Sequence, residues 1–382
     1  MKTEDTAMFN TKKYESTVEA MRSRGEEVHA KGREIYRRTK RMDPLVDVNG
    51  KLRLSHNSFK KVDGKPVLVN GPALPIWSGF DGTGSMGENA GRAHAALAEI
   101  NAMLNGIRGT YNPQLATSVI QDVDDPHPVF QMSQFEPDER IAEQIRLLIP
   151  DGAGGDETED YQLALAYLML ATDFDIANFY GLKGYGFIVG DEIGREDVTV
   201  KDVEKHLGHK LQSKMTTKAV AKELAKKMHL FYIHVQLGHS HGHSPAWWQD
   251  KFGAGHVVVA TDVSLLAELQ AGLIYVTETL EPTEAGLFEF LSAGGSNKHA
   301  TKSAVAKVWS WITEAGVPFG AQVKLAGYKD LPKPGDVFEN IRHQWPVGHK
   351  RFAENVIAPE ATVTEVHVSS PKSEKPDWSR FG

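Results

Sequence analysis

The chain has 382 residues, of which 41% are hydrophobic and 24% charged, and its formal net charge at pH 7 is −7. These proportions are typical of a globular protein and exclude a disordered one, and the negative charge argues against a dominant nucleic-acid surface. Because the sequence contains no cysteine, disulfides, thiolate zinc sites and cysteine nucleophiles are excluded.

The amino terminus and the apolar segments indicate where the protein resides. The chain begins Met1-Lys2-Thr3-Glu4-Asp5, which is charged where a secretory signal would carry an apolar core. The longest mainly apolar run, Leu163–Ala171, is too short to span a membrane. We therefore expect a cytoplasmic protein that has no membrane partner.

Residues 1–65 predict an N-terminal helical arm followed by a linker. Met21, Val28 and Ile35 recur every seven residues, and glycines stand between them at the same spacing. This pattern predicts one helix that lies on a partner or on the rest of the protein, with the glycines allowing close approach. The end of this helix is basic and contains Arg33, Arg37, Arg38, Lys40 and Arg41. These residues form either a solvated face or a contact with phosphate or an acidic protein.

From residue 66 to residue 280, apolar runs of strand length alternate with helical patterns. This alternation predicts an α/β domain, a Rossmann-like, doubly wound and mostly parallel sheet with helices on both faces. The connection before the strand Pro128–Met132 is too short for a helical crossover, which predicts antiparallel pairing there. The predicted parallel strands are Pro75–Phe80, Leu115–Ile120, Gly186–Val189, Leu230–Val235 and Val257–Ala260. The predicted helices are Glu88–Asn105, Glu139–Leu148, Asp160–Leu170, residues 218–228 and Leu265–Thr279.

The remaining residues differ in character from this central part. Residues 281–363 predict a C-terminal extension that is helical and then irregular, and residues 364–382 predict a flexible tail. Within the extension, Lys302–Ala315 has the spacing of an amphipathic helix whose apolar side includes Trp309. We expect Trp309 to lie in the core.

The most informative loop directly follows the first predicted parallel strand and runs from Asp81 to Gly87. Asp81, Thr83 and Ser85 stand at alternate positions and offer one carboxylate and two hydroxyls. Oxygen ligands of this kind suit Mg²⁺ or Mn²⁺, and Mg²⁺ in proteins keeps waters or an open position. The intervening glycines relieve crowding in a tight turn. The loop therefore predicts a divalent-cation site.

Two further acidic loops are expected at the same edge, because ligand sites collect at the carboxyl ends of parallel strands. Asp191 and Glu192 directly follow the predicted strand Gly186–Val189. The loop that contains Asp156 and Thr158 precedes the helix leading into that strand. Three loops are therefore predicted to present oxygen ligands to one cation. The alternative is that these residues serve only as helix caps and turns.

An alternative interpretation of the first loop is a dinucleotide-binding turn. Gly82, Gly84 and Gly87 match the spacing GxGxxG between a strand and a helix, and Asp122 would then hold a ribose. Asp81 opposes this interpretation, since it would place a carboxylate where amide groups and a helix N-terminus attract a pyrophosphate. The alternative predicts a nucleotide-dependent oxidoreductase.

With these residues, the segment 66–278 resembles the von Willebrand factor A domain. The metal-ion-dependent adhesion site of that family has DxSxS after the first strand, a threonine in a glycine-rich loop and an aspartate after the fourth strand. Asp81, Thr83 and Ser85 match the first motif, with threonine replacing its first serine. Where the family has Gly-Gly-Thr this chain has Gly-Gly-Asp, so the resemblance leaves Asp156 or Thr158 as the third ligand and matches Asp191 to the last.

The resemblance implies binding rather than catalysis. Such a domain leaves one position of its metal ion for an Asp or Glu carboxylate of a partner protein, and an Mg²⁺ with few protein anions attracts such a group. Members of the family in bacteria and their viruses act as adaptors, for example beside AAA+ ATPases, or as assembly components. We therefore expect a metal-dependent protein–protein interaction, the remaining alternative being a structural component whose metal site is inactive.

A second candidate site follows the predicted strand Leu230–Val235. His239, His241 and His243 stand at alternate positions, where they would bind Zn²⁺ or Ni²⁺, contact the same partner, or simply be exposed polar residues. Trp247 and Trp248 follow this loop. They are predicted either to form an interaction surface or to have at least one ring packed under the loop.

Overall fold

The computed structural model describes residues 29–83, 86, 99–108, 110–150, 158–236, 243–292 and 301–337. The helices within these ranges are all too short or too polar to cross a membrane.

Six strands of the described chain form the central sheet, and they are almost entirely buried. In chain order they are β1 (Ala73–Asp81), β2 (Asn112–Ile120), β3 (Phe130–Met132), β4 (Gly184–Gly190), β5 (Met228–Val235) and β6 (Val257–Ala260). Their order across the sheet is β6-β5-β4-β1-β2-β3. All neighbours pair in parallel except β2 and β3, which are antiparallel. The predicted strands, the mostly parallel sheet and its antiparallel member are confirmed.

The helices around this sheet include two groups, and within each group the helices pack against one another. They are α1 (Ala30–Thr39), α2 (Arg140–Ile145), α3 (Tyr161–Ala171), α4 (Asp175–Tyr180), α5 (Thr217–Leu224), α6 (Ser244–Phe252), α7 (Leu266–Glu278), α8 (Glu284–Ser292) and α9 (Lys302–Glu314). Helices α3, α5 and α6 pack in one group and α7, α8 and α9 in the other. Shorter elements are the helical segments Val200–Asp202 and Val203–Leu207, the 3₁₀ turns Val263–Leu265 and Ala326–Asp330, and the strand pair Asp197–Val198 with Met215–Thr216.

The predicted helices within the described residues are confirmed, with two differences in detail. The helix predicted at Glu88–Asn105 is described from residue 99, where it ends in the 3₁₀ turn Leu104–Ile107; residues 87–98 lie outside the described residues. On α9, the expectation that Trp309 lies in the core is wrong. Trp311 is the buried tryptophan, whereas Trp309 is half-buried and stacks on Phe319 from the following segment.

Helix α1 lies on the rest of the protein, which is one of the two alternatives that the heptad pattern left open. The Gly32 amide donates to the Arg146 carbonyl at 3.0 Å, and a Cβ on Gly32 would lie 2.4 Å from the carbonyl oxygen of Leu147. Glycine is therefore required for this close approach of two backbones. The other heptad positions, Met21 and Val28, lie outside the described residues.

Residues 46–68 connect α1 to the central sheet and contribute to its core. The strand Arg53–Ser55 pairs in parallel with Thr172–Phe174, and Phe59–Val62 forms a hairpin with Lys65–Leu68. Val48 and Phe59 belong to the same apolar core as the central strands. The division of the chain at residues 65 and 280 stays a prediction.

Candidate metal site at the carboxyl edge of the sheet

Asp81 is the last residue of β1, and its side chain is 0% exposed. Its Oδ1 accepts hydrogen bonds from the amide of Thr83 at 2.8 Å and from the hydroxyl of Thr83 at 2.5 Å. Its Oδ2 accepts a hydrogen bond from the hydroxyl of Tyr161, the first residue of α3, at 2.5 Å. Both carboxylate oxygens are thus held in place by the turn that follows β1 and by a helix.

The contact between Tyr161 and Asp81 depends on a glycine in the neighbouring strand. The register of β1 and β4 pairs Phe80 with Val189, which brings Asp81 beside Gly190. A Cβ on Gly190 would lie 2.2 Å from the Tyr161 hydroxyl and 3.4 Å from the Cβ of Asp81. Because no heavy atom fits at 2.2 Å, glycine at this position is what lets the phenol reach the carboxylate.

Asp191 follows β4 and is also 0% exposed. Burial raises the pKa of Asp81 to about 6, and the negative charge of Asp191 is the second cause of that increase. Two carboxylates that share one buried place disfavour each other's charged form, and a cation between them would remove that penalty. The structure therefore brings together the two aspartates that the sequence predicted at this edge.

The loop that carries Asp191 is anchored through one backbone carbonyl. The carbonyl oxygen of Glu192 accepts hydrogen bonds from the Tyr232 hydroxyl at 2.8 Å, the Ser244 hydroxyl at 3.0 Å and the Trp248 indole at 3.0 Å. The rings of Tyr232 and Trp248 are stacked, with centroids 4.3 Å apart. Trp248 is fully buried against the Asp191 loop. Residues 237–242 of the histidine loop lie outside the described residues, so the packing of a tryptophan under that loop stays a prediction.

Glu159 is a buried residue at this site that the sequence analysis missed. It lies in the short strand Thr158–Glu159, which pairs in parallel with Ile193–Gly194 just beyond Asp191. Glu159 is 3% exposed, and its carboxyl group hydrogen-bonds with the side chain of Thr83. Within the part of the chain that the structure describes, its Oε2 has no hydrogen-bond partner. The signal in the sequence was the acidic run of residues 156–160. Within that run, the predicted metal ligands were the earlier residues Asp156 and Thr158.

The pKa of Glu159 is subject to opposing effects. Its hydrogen bond with the side chain of Thr83 favours the charged carboxylate and lowers the pKa. Burial, followed by the charges of Asp81 and Asp122, raises the pKa of Glu159 well above its usual range. The net effect favours the neutral form of Glu159 in the absence of a cation.

A guanidinium lies beside the site but is already engaged. Arg195 forms ion pairs with Asp122 at 3.1 Å and with Asp160 at 3.3 Å, and Asp160 also accepts from the amide of Val123 at 2.8 Å. This arrangement joins the ends of β2 and α3 next to the carboxylates. Asp122, which the dinucleotide alternative would give to a ribose, is held by Arg195.

The remaining predicted residues are distributed as follows. Thr158 is half-buried at the start of its short strand, and His243 is exposed immediately before α6. The amide of Gly82 donates to the Ile120 carbonyl at 2.9 Å, so this group is used by the sheet rather than offered to a phosphate. Predicted residues that lie outside the described residues are Gly84, Ser85, Gly87, Asp156, His239 and His241.

The donor set of the described residues fits a small divalent cation with water ligands. In that part of the chain, no group of three or more histidines, aspartates or glutamates is arranged to hold a metal ion. Asp81 and Asp191 supply carboxylates and Thr83 a hydroxyl, which matches the preference of Mg²⁺ for few carboxylates and several waters. Ser85 and Asp156, the other predicted ligands, lie outside the described residues.

No protein-family model and no curated protein sequence matches the chain. Among solved structures, proximal thread matrix protein 1 from the mussel byssus is similar over 54% of this chain and 49% of its own, at 11% identity and a TM-score of 0.34. The pilus adhesin SpaC from Lactobacillus rhamnosus GG is similar over 59% of this chain and 35% of its own, at 14% identity and a TM-score of 0.36. A von Willebrand factor type A structure from Catenulispora acidiphila is similar over 60% of this chain and 48% of its own, at 13% identity and a TM-score of 0.31. The chain thus spans half or less of the length of each of these structures.

Proposed function

We propose that residues 66–280 form a von Willebrand factor A-like domain that binds Mg²⁺ or Mn²⁺ and, through the cation, a partner protein. The observation that carries this proposal is the pair Asp81 and Asp191, buried side by side at the carboxyl ends of adjacent parallel strands. Buried like charges are costly unless they are neutralised or coordinate a metal. A site of this cost at the functional edge of a parallel sheet is typical of ligand binding.

A doubly wound arrangement with helices on both faces is part of this proposal. Ser78 and Asp81 are three residues apart on β1, so their side chains point to opposite faces of the sheet. Ser78 donates to Gln270 of α7, whereas Asp81 accepts from Tyr161 of α3. These contacts support one helix group on each face.

The proposed partner presents an aspartate or glutamate to the cation. An ion held by two carboxylates and neutral oxygens keeps an affinity for a further anion. A carboxylate of the partner would take a position on the ion that water otherwise fills. The roles that suit such a protein are an adaptor, for example beside an AAA+ ATPase, or a component of a larger bacterial or phage assembly.

Calorimetric titration of the full chain with Mg²⁺ and Mn²⁺ tests the cation site. We expect binding by the wild type and its loss in Asp81→Asn. Asp175→Asn is the matched control, because Asp175 is equally buried but accepts the Asn57 amide at 2.7 Å, at the strand Arg53–Ser55. A wild type that binds neither cation, or an Asp81→Asn variant that binds as well as the wild type, would contradict the proposal.

Capture of partners from the native source, with and without EDTA, tests the second half of the proposal. We expect a partner whose capture requires the cation and Asp81. Capture that persists in EDTA and with Asp81→Asn would instead identify a structural component with an inactive site. Titration with NAD in the same series separates the oxidoreductase alternative, which predicts nucleotide binding that is independent of Asp81.

A further inference from the structure

The hydrogen bonds on Asp81 identify which of its oxygens can bind a cation. Oδ1 already accepts two donors, the amide and the hydroxyl of Thr83. Among the described residues, Oδ2 accepts one donor, the hydroxyl of Tyr161. Since a carboxylate oxygen has two lone pairs, Oδ2 is the atom that retains one for a metal ion.

The Tyr161 hydroxyl is itself fixed by its surroundings. The ring is fully buried, with the Trp248 ring edge-on at 5.4 Å and the Tyr232 ring edge-on at 6.3 Å between centroids. Gly190 supplies the space that the hydroxyl needs. A phenol has one hydroxyl proton, and Tyr161 donates it to Asp81.

We propose that Tyr161 is a positioning residue of the cation site, which acts through Asp81. Its hydroxyl fixes the torsion of the carboxylate so that the remaining lone pair of Oδ2 is presented at the edge of the sheet. Carboxylates that ligate metals are commonly oriented by a hydrogen bond of this kind, and its loss weakens metal binding. The inference rests on the proposed function, because it concerns the same cation.

The same helix contains a matched control. Tyr167 lies six residues further along α3, is also fully buried, and donates its hydroxyl to the Lys51 carbonyl at 2.9 Å. Replacing either tyrosine with phenylalanine removes one buried hydroxyl and one hydrogen bond while keeping the ring. The two variants therefore differ in whether the lost bond ends on Asp81.

The experiment measures Mn²⁺ and Mg²⁺ affinity of the full chain by calorimetry for the wild type, Tyr161→Phe and Tyr167→Phe. Circular dichroism and thermal unfolding in EDTA establish that each variant is folded. We expect Tyr161→Phe to weaken cation binding about ten- to a hundredfold, the range seen when the hydrogen-bond partner of a metal ligand is removed. We expect Tyr167→Phe to bind like the wild type, and we expect the rise in melting temperature caused by Mg²⁺ to be lost in Tyr161→Phe alone.

The outcomes separate this inference from the proposed function. If the wild type binds and Tyr161→Phe binds equally well, or if both phenylalanine variants weaken binding alike, the positioning role is overturned while the cation site stands. If the wild type binds no cation, the proposed function itself fails. Gly190→Ala is the second variant, because its methyl group displaces the hydroxyl and keeps Tyr161 in the chain; it is expected to weaken binding in the same way, and unchanged binding would also overturn the inference.

Discussion

Acidic side chains are buried both where the parallel strands begin, which we call the amino edge, and where they end, the carboxyl edge, but in different ways. At the amino edge, Glu278 at the end of α7 accepts hydrogen bonds from the hydroxyls of Tyr185 at 2.7 Å and Tyr111 at 3.1 Å. These bonds favour the charged form, although burial is the larger effect and raises the pKa of Glu278 to about 7. At the carboxyl edge, the pKa of Asp81 is raised by the charge of a neighbouring carboxylate as well as by burial.

A neighbouring residue shows how completely the amino edge is bonded. Gln322 is fully buried and bonds to His229 at 3.0 Å and to both the amide and the carbonyl of Lys183, at 3.2 and 2.8 Å. This network joins the C-terminal segment to the starts of the strands and has the character of a structural contact. Acids that raise one another's pKa, as at the carboxyl edge, are instead typical of a functional site, where a bound cation relieves their repulsion.

The largest expected effect comes from the glycines at the two ends of β4. A Cβ on Gly190 would meet the Tyr161 hydroxyl at 2.2 Å, and a Cβ on Gly184 would meet the Pro75 carbonyl oxygen at 2.7 Å. We expect Gly190→Ala and Gly184→Ala each to lower the free energy of unfolding by up to about 3 kcal/mol, as overpacked cores do. Urea unfolding in EDTA measures this cost. Cation titration then separates the edges, because Gly184→Ala should keep its affinity; a loss in both variants would remove the distinction.

The pH dependence of stability is the next largest effect. The folded-state pKa of Asp81 is raised from 3.8 to about 6, so its contribution to stability is complete below pH 3.8 and is lost as the pH rises through about 6. The loss amounts to about 3 kcal/mol in the absence of a cation. Urea unfolding between pH 4 and pH 7 in EDTA should show a loss of stability that is larger by about this amount in the wild type than in Asp81→Asn, in which the contribution of Glu278 remains.

Glu278 should behave in the same direction but without any response to metal. Its pKa is raised from 4.5 to about 7, so the corresponding stability is lost between those pH values. We expect saturating Mg²⁺ to flatten the part of the profile that depends on Asp81 and to leave the part that depends on Glu278 unchanged. A profile that Mg²⁺ does not alter would place both acids in the same structural class.

The sheet could be predicted from the sequence because its strands are continuous apolar runs. β5 and β6, for example, are hydrophobic stretches bounded by polar loops, and their limits differ from the predicted ones by no more than two residues. The short link between β2 and β3 likewise determines antiparallel pairing, since it leaves no room for a crossover. Trp309 was misjudged because the spacing along α9 does not reveal that Phe319 covers it.

The candidate site could be predicted only where a single loop carries the signal. Asp81 ends a strand, and Thr83 and Asp191 follow strands; these positions are visible in the sequence. Glu159 and Tyr161 are brought to Asp81 by a two-residue strand pairing and by a glycine in another strand. Neither contact produces a periodic pattern in the sequence. Tyr161 lies in an apolar helix, and nothing in the sequence of that helix indicates what its hydroxyl bonds to.

The smallest expected effect compares one acid from each edge at pH 8 in EDTA. Glu278→Gln places an amide donor against two tyrosine donors, so we expect it to lower the free energy of unfolding by about 1–2 kcal/mol. Burial and the neighbouring carboxylates favour the neutral form of Glu159, and glutamine is neutral and has nearly the same shape. Glu159→Gln should therefore change the free energy of unfolding by less than about 0.5 kcal/mol, and urea unfolding measures both variants. If Glu159→Gln proved the costlier of the two, Glu159 would be ionised and structurally bonded, and the carboxyl edge would satisfy its acids internally just as the amino edge does.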